Sequence, residues 1–408
     1  MRLSIVEAVR TFLAILILSW LALSHLQAQG KGNANPAANR HLTFSPDGRL
    51  LAASYGEIEQ PGILRIWDWQ SGQTVLERRE PVGVCSASFS PDGKSIAVGT
   101  FDKVGRVLDV ATGKIRTEFR GHDSYVRTVA YINANLIASG SYDKTIRLWN
   151  ANTGLQVREL GKHTDQLRTV AVSADGRFLI SGSISPDCRL WDLVNMQEIA
   201  LFDSPGFICP NVCFSRDGEF VLTARWDNTV RIRDTVSRRI LAAVKVGAKR
   251  TIDLSPDNSL LLACDDKLIL HAVDLRLAGA TAEETTQVME HVKLWNSDDY
   301  QVREKASRDI LEMGAVVIPL LDRIKGFTTP EIRIRARTIQ ETLEESSSRD
   351  VDVGHEFNVG AVCFSPDNIH VASGDVGGVV KVWRFRDETV VQTFEPSTAP
   401  GDKETSLP

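Results

Sequence analysis

A motif returning every 40 to 45 residues constrains this chain more than anything else in it. FSPDG stands at 44–48 and again at 89–93, followed by VSADG at 172–176, FSRDG at 214–218, LSPDN at 254–258 and FSPDN at 364–368. YINAN at 131–135 is a degenerate copy. Asp-Gly and Asp-Asn tolerate positive φ, so each copy marks a tight hairpin between two short strands. A second landmark follows each: Trp67-Asp68, Leu108-Asp109, Trp149-Asn150, Trp191-Asp192, Arg233-Asp234, Val273-Asp274 and Trp383-Arg384. Successive separations are 41, 41, 42, 42, 40 and 110 residues. A unit of this length cannot bury its own apolar faces, so copies must stack against one another.

The best single copy is NLIASGSYDKTIRLWN at 135–150. In its fixed period and its Trp-Asp ending the chain resembles the WD40-repeat family, over roughly residues 38–396 less one interruption. The resemblance implies an all-β fold, a seven-bladed WD40 propeller of four-stranded antiparallel blades. In the third copy the strands are VRTVAY, LIASGS, TIRLWN and LQVREL, here called a to d from the centre outward. ETVVQTFEP can supply the last blade's own d strand, so closure is expected without the exchange of an N-terminal strand.

The 110-residue interval exceeds a normal one by about 70, and the excess reads as helix. Val288, Val292 and Trp295 form one stripe, Val302, Ala306, Ile310 and Met313 a second, and Ile332, Ala336, Ile339 and Leu343 a third. Thr281 and Glu284 make a capping box, and Pro330 suits a first helical position. SRDVDV, just before Gly354-His355, can serve as the missing d strand. The helices therefore read as an insertion in the sixth blade's c–d hairpin, similar to a HEAT-type repeat and projecting from the c–d face. The expected organisation is blades 1–6 over 38–277, helices over 278–347, the rest of blade 6 and blade 7 over 348–396, and a disordered tail over 397–408.

The N-terminus is a separate object. Arg2 and Arg10 precede an apolar, uncharged run at 11–23, and small residues follow. A basic start, a short apolar run and a cut site after Ala28 describe a secretory signal over 1–28, with a flexible linker over 29–37. The expected location is periplasmic or secreted, the alternative being a chain anchored by residues 11–26. A membrane enters as a partner only if that segment stays uncleaved. The formal charge of -5 argues against nucleic acid. Of six cysteines, Cys209 and Cys213 lie four apart in one strand, too far to bridge. Buried free thiols are the expectation, and no zinc or haem spacing is present, so neither metal nor cofactor is expected.

Three sets of positions carry the functional reading. His122, His163 and His355 each lie nine residues before an a-strand landmark. The resemblance implies that such a histidine joins a buried hydrogen-bond chain with a b-strand Ser or Thr, a turn Asp and the Trp. Only the third blade supplies all four at the expected spacing, as His122, Ser139, Asp143 and Trp149; Ser185 and Gly377 take the Asp position in the fourth and seventh. The role is structural, and no catalytic triad is read from it. Phe101, Tyr142, Ile184 and Trp226 repeat at the b–c turn of blades two to five, where the turn does not require them. They are read as interface anchors, against the alternative that they fold back over neighbouring blades. Arg127, Arg168 and Arg250, with Arg40, each stand four residues before an a-strand landmark. Guanidiniums at one mouth of the channel make a positive funnel for carboxylate or phosphate, against the alternative of local ion pairs. The favoured function is a non-enzymatic scaffold binding a protein or acidic peptide there. The alternatives are an exported propeller hydrolase or lyase, or a carbohydrate or cell-wall binding protein.

Overall fold

The computed structural model describes residues 39–202, 209, 211–246, 251–264, 270–274, 282–313, 317, 321, 332, 334–339, 342 and 348–396. The expected signal, linker and tail, Thr281, Gly314, Pro330, Leu343 and Arg250 lie outside them. Among the described residues the strands pair into seven four-stranded antiparallel sheets, each using four strands in chain order. The first holds β1 (Asn39–Phe44), β2 (Leu50–Tyr55), β3 (Gly62–Asp68) and β4 (Gln73–Glu80). The second holds β5 (Val84–Phe89), β6 (Ser95–Thr100), β7 (Val104–Asp109) and β8 (Ile115–Arg120). The third holds β9 (Val126–Asn133), β10 (Leu136–Ser141), β11 (Thr145–Asn150) and β12 (Gln156–Lys162). The fourth holds β13 (Leu167–Val172), β14 (Phe178–Ser183), β15 (Cys188–Asp192) and β16 (Gln197–Phe202). The fifth holds β17 (Asn211–Phe214), β18 (Phe220–Ala224), β19 (Thr229–Asp234) and β20 (Ile240–Lys245). The sixth holds β21 (Thr251–Leu254), β22 (Leu260–Cys264), β23 (Leu270–Asp274) and β24 (Ser348–Val351). The seventh holds β25 (Val359–Phe364), β26 (His370–Asp375), β27 (Val380–Arg384) and β28 (Thr389–Phe394).

The repeated hairpin explains the start of every blade. In the first, Ser45 Oγ donates to Asp47 Oδ1 at 2.5 Å and accepts from the Leu50 amide at 2.8 Å. The chain then turns through Gly48 at φ 73°; Asn368 does the same at 59° in the seventh blade. Only residues that tolerate the left-handed region fit there, hence Asp-Gly and Asp-Asn. Burial grades outward. Every residue of β2 is buried, whereas most of β4 is exposed, because inner strands pack between neighbouring sheets and outer strands face water.

The innermost strands follow one another around an axis, and β25 lies beside β1. At three junctions a short polar side chain clasps one inner strand to the next. Ser88 Oγ accepts from the Tyr131 amide at 3.1 Å, Thr128 Oγ1 from Val170 at 3.2 Å, and Asp253 from Phe364 at 2.7 Å. Between the first and last blades Trp67 stacks on Phe394 at 4.6 Å, and Arg65 Nη1 donates to the Glu395 carbonyl at 3.2 Å. No strand is exchanged among the described residues: β28 belongs to its own sheet.

Two helices, α1 (Ala282–Leu294) and α2 (Tyr300–Glu312), fall in the chain between β23 and β24, which nevertheless pair, Leu270 opposite Val351. Asp299 caps α2, its carboxylate accepting from the Gln301 amide at 2.8 Å. Val288, Val292, Trp295, Ala306, Ile310, Ile332, Ala336 and Ile339 form a core of their own, separate from the clusters between blades. Among the described residues no helix is long and apolar enough to cross a membrane.

One expectation is corrected. Cys188 and Cys209 are joined in a disulfide, Cα to Cα 6.5 Å, so they are not free thiols; Cys85, Cys213, Cys264 and Cys363 form no disulfide. Spacing along one strand rules out only bridges within that strand. Cys188 opens β15 and Cys209 lies just ahead of β17, so the bond crosses from the fourth blade to the fifth.

Candidate functional site: the channel mouth

Each hydrogen-bond chain is built from the second and third strands of one blade, the turn that joins them and the loop before the blade. In the third blade His122 Nε2 meets Ser139 Oγ at 2.7 Å, His122 Nδ1 meets Asp143 Oδ2 at 2.7 Å, and Trp149 Nε1 donates to Ser139 Oγ at 2.7 Å. Against the upward push of burial, bonds from His122 and Thr145 hold the Asp143 carboxyl well below its usual range. The expectation that only this blade completes the chain is corrected. In the fourth, His163 Nε2 meets Ser181 at 2.7 Å, its Nδ1 lies 3.1 Å from Asp187, and Trp191 donates to Ser181 at 2.8 Å. In the seventh, His355 meets Ser373 at 2.8 Å and Asp375 at 3.0 Å, with Trp383 donating to Ser373 at 3.3 Å. The serine-to-aspartate spacing is four residues, then six, then two, as the numbers 139 and 143, 181 and 187, and 373 and 375 show. The turn slides while the carboxylate stays over the imidazole. The Asp187 carboxyl is also held well below its usual range despite burial, by His163, Ser183 and Ser185. All three histidine–carboxylate pairs are buried, which suits a structural role at about 1 kcal/mol per bond.

In an antiparallel blade the b–c and d–a loops share one end and the a–b and c–d turns the other. Arg40, Arg127, Arg168 and the turn residues therefore lie at the b–c end, around the start of the inner strands. Arg127 and Arg168 hold the same register on neighbouring strands β9 and β13, both half-buried. Arg127 Nη1 donates to the Cys85 carbonyl at 3.2 Å, and Arg168 Nη1 to the Tyr142 hydroxyl at 3.3 Å. Among the described residues neither has a carboxylate within ion-pair distance. Arg40 differs: it pairs with Glu57 at 2.7 Å and donates from Nε to the Gly56 carbonyl at 3.0 Å. Burial lowers its pKa, Glu57 opposes, and the charge of Arg127 lowers it further. Burial pushes His41 down to about 4, and the charge of Arg127 adds to that shift.

The apolar turn residues are not one surface. Phe101 is buried, only 7% exposed, with its ring edge-on to Tyr125 at 5.2 Å, which corrects its reading as an exposed anchor. The d–a loop of its own blade covers it. Tyr142 and Ile184 are half-buried, and Trp226 is 47% exposed. The site thus brings together Arg127, Arg168 and Tyr142, with Arg40 engaged on Glu57.

Two residues escaped the reading of the sequence. Glu57 sits in a six-residue b–c loop, 56–61, where the second and third blades use three residues. The extra length was countable. Asp253 immediately precedes an a-strand landmark, where other blades place Thr43, Ser88, Ala130, Ala171, Cys213 and Cys363. A carboxylate among small residues was the available signal. Among the described residues no cluster of three or more His, Cys, Asp or Glu is arranged to hold a metal ion.

Comparison with known proteins matches the WD domain, G-beta repeat profile at residues 73–109, 113–150, 154–192, 208–234 and 348–384. The chain is 25% identical to apoptotic protease-activating factor 1 of Rattus norvegicus over 213 residues, 49% of this chain and 17% of that protein. It is 34% identical to the poly(A)+ RNA export protein of Schizosaccharomyces pombe over 98 residues, 23% of this chain and 26% of that one. It is 25% identical to autophagy-related protein 16 of Arabidopsis thaliana over 243 residues, 56% of this chain and 47% of that one. The chain therefore spans less than half the length of each of these relatives.

Proposed function

We propose that this chain, an all-β propeller carrying WD40 repeats, is a non-enzymatic interaction scaffold whose b–c face receives an acidic segment of a partner protein. The observation carrying this is the pair Arg127 and Arg168, side by side, half-buried and without a carboxylate among the described residues. A guanidinium held in a channel mouth is costly to leave unanswered, and its planar fork suits a carboxylate. The Tyr142 hydroxyl orients Arg168, and exposed Trp226 offers an apolar contact on the same face. The three relatives carry unrelated names, so the shared repeat supports a binding role rather than one chemistry.

Two finer parts belong to the same proposal. The chain is exported through residues 1–28 and works in an oxidising compartment; the Cys188–Cys209 bond supports this. The sheets make one closed seven-bladed ring, with the helices a HEAT-like module set into the sixth blade. The separate helical core supports that, as does a profile match resuming at residue 348, where β24 begins. Deleting 281–345 is expected to leave a cooperatively melting β-protein with its far-UV spectrum reduced only in helix. Aggregation or loss of the sheet signal would rule out an independent module.

The binding face is tested by affinity capture from the native cell envelope with wild type and an Arg127→Glu/Arg168→Glu variant of equal melting temperature. Reversal of both charges is expected to weaken capture of a protein partner by about thirtyfold or more. Equal capture by both would discard the arginine site.

A further inference from the structure

The b–c loop of the first blade is anchored differently from the others. Its base is fixed by backbone contact: a Cβ on Gly56 would meet Gly83 Cα at 2.4 Å, and one on Gly62 would meet the Val82 carbonyl at 2.6 Å. From that base the extra residues Glu57, Ile58 and Glu59 project at the mouth, Glu59 in the left-handed region at φ 61°. Ile58 is 45% exposed. Arg40 holds the loop from inside, with Nε on the Gly56 carbonyl and Nη2 on the Glu57 carboxylate. Among the inner-strand arginines described, only Arg40 is answered by a carboxylate, and that carboxylate comes from the chain itself. The exposed segment reads acidic, apolar, acidic, which is the chemistry expected of the partner segment.

We propose that loop 56–61 is a built-in competitor, with Glu57 occupying at Arg40 the place an incoming acidic segment would take. The inference rests on the acidic-segment reading of the mouth and adds its regulation. Binding is then an exchange of one carboxylate for another. The resting affinity is held down by a charge that repels the ligand and ties up one guanidinium. A partner that pulls the loop aside gains Arg40 as well as Arg127 and Arg168.

The test is fluorescence anisotropy with fluorescein-labelled hexaglutamate at low salt. The proteins are wild type, Glu57→Gln, Glu57→Ser, Arg40→Ala, Arg40→Ala/Glu57→Gln and Arg127→Ala/Arg168→Ala, each checked for an unchanged melting temperature. Both Glu57 variants are expected to bind about fivefold more tightly than wild type, as one like charge a few ångströms from the ligand is removed. The gain should shrink at high salt and be smaller when Arg40→Ala/Glu57→Gln is compared with Arg40→Ala alone, where no guanidinium is freed. The Arg127→Ala/Arg168→Ala protein should lose binding. Glu57 variants no tighter than wild type, with binding still lost in Arg127→Ala/Arg168→Ala, would overturn the competitor and leave the site standing. No binding by any of the proteins would overturn both.

Discussion

Cys188→Ser should lower the unfolding free energy of the oxidised protein by about 3 kcal/mol, the loop-closure value for a bridge of this span. The two cysteines are 21 residues apart, and their bond ties the start of β15 in the fourth blade to the approach of β17 in the fifth. Both are buried, so reduction exposes two thiols to an apolar seam rather than to water. Urea unfolding of wild type with and without reductant, beside Cys188→Ser, checks it. Reduced wild type should coincide with the variant, and oxidised wild type should unfold at higher urea. Coincidence of all three would show that the bond contributes nothing.

Asp253→Asn should raise stability at pH 7.5 by about 2 kcal/mol and flatten the pH profile between 4 and 6. Burial pushes the Asp253 carboxyl up to about 6, and the Phe364 and Leu254 amides, at 2.7 and 2.9 Å, only partly offset it. The facing groups from the neighbouring inner strands are the Cys213 and Cys363 thiols, themselves pushed up by burial and by the Asp253 charge. The folded value lies above the ordinary 3.8, so folding favours the protonated form. That contribution is complete below about pH 4 and is lost as the pH rises through about 6. A full conversion of the shift would give about 3 kcal/mol, which the partial exposure of Asp253 reduces. Asparagine keeps an oxygen for the Phe364 amide and removes the charge. Melting temperatures of both proteins from pH 3.5 to 8 decide it. Parallel curves would show that Asp253 does not titrate in this window.

The blades were legible because their signals are local. Asp-Gly and Asp-Asn turns and the Trp-Asp landmark recur at fixed offsets, and a hairpin depends on little beyond its own residues. The helical stripes were legible for the same reason: Val288 and Val292 bury one face of α1, and Trp295, just past its end, joins the same core. What distance along the chain could not give was contact across blades. Cys188 and Cys209 meet only after the fourth blade is laid against the fifth. The aspartates of the fourth and seventh hydrogen-bond chains were missed because a turn can lengthen or shorten while its carboxylate returns to one point. Phe101 had the sequence of an anchor, but the loop carrying Gly83 leaves room for its ring, a Cβ there meeting Phe101 at 2.8 Å. The arginines were read at the right register, yet their partners, Glu57 for Arg40 and Tyr142 for Arg168, depend on loops from other strands.

Which end of the propeller meets its partner decides between the b–c face and the c–d face. Tyr142 lies in a b–c turn and Val194 in a c–d turn, at opposite ends of their blades. A photo-reactive phenylalanine analogue placed at either position, in otherwise wild-type protein irradiated in its native cells, reads the face directly. Adducts to a partner protein at 142, lost with Arg127→Glu/Arg168→Glu and absent at 194, are the predicted result. Adducts at 194 that persist with the arginines reversed, and none at 142, would contradict it.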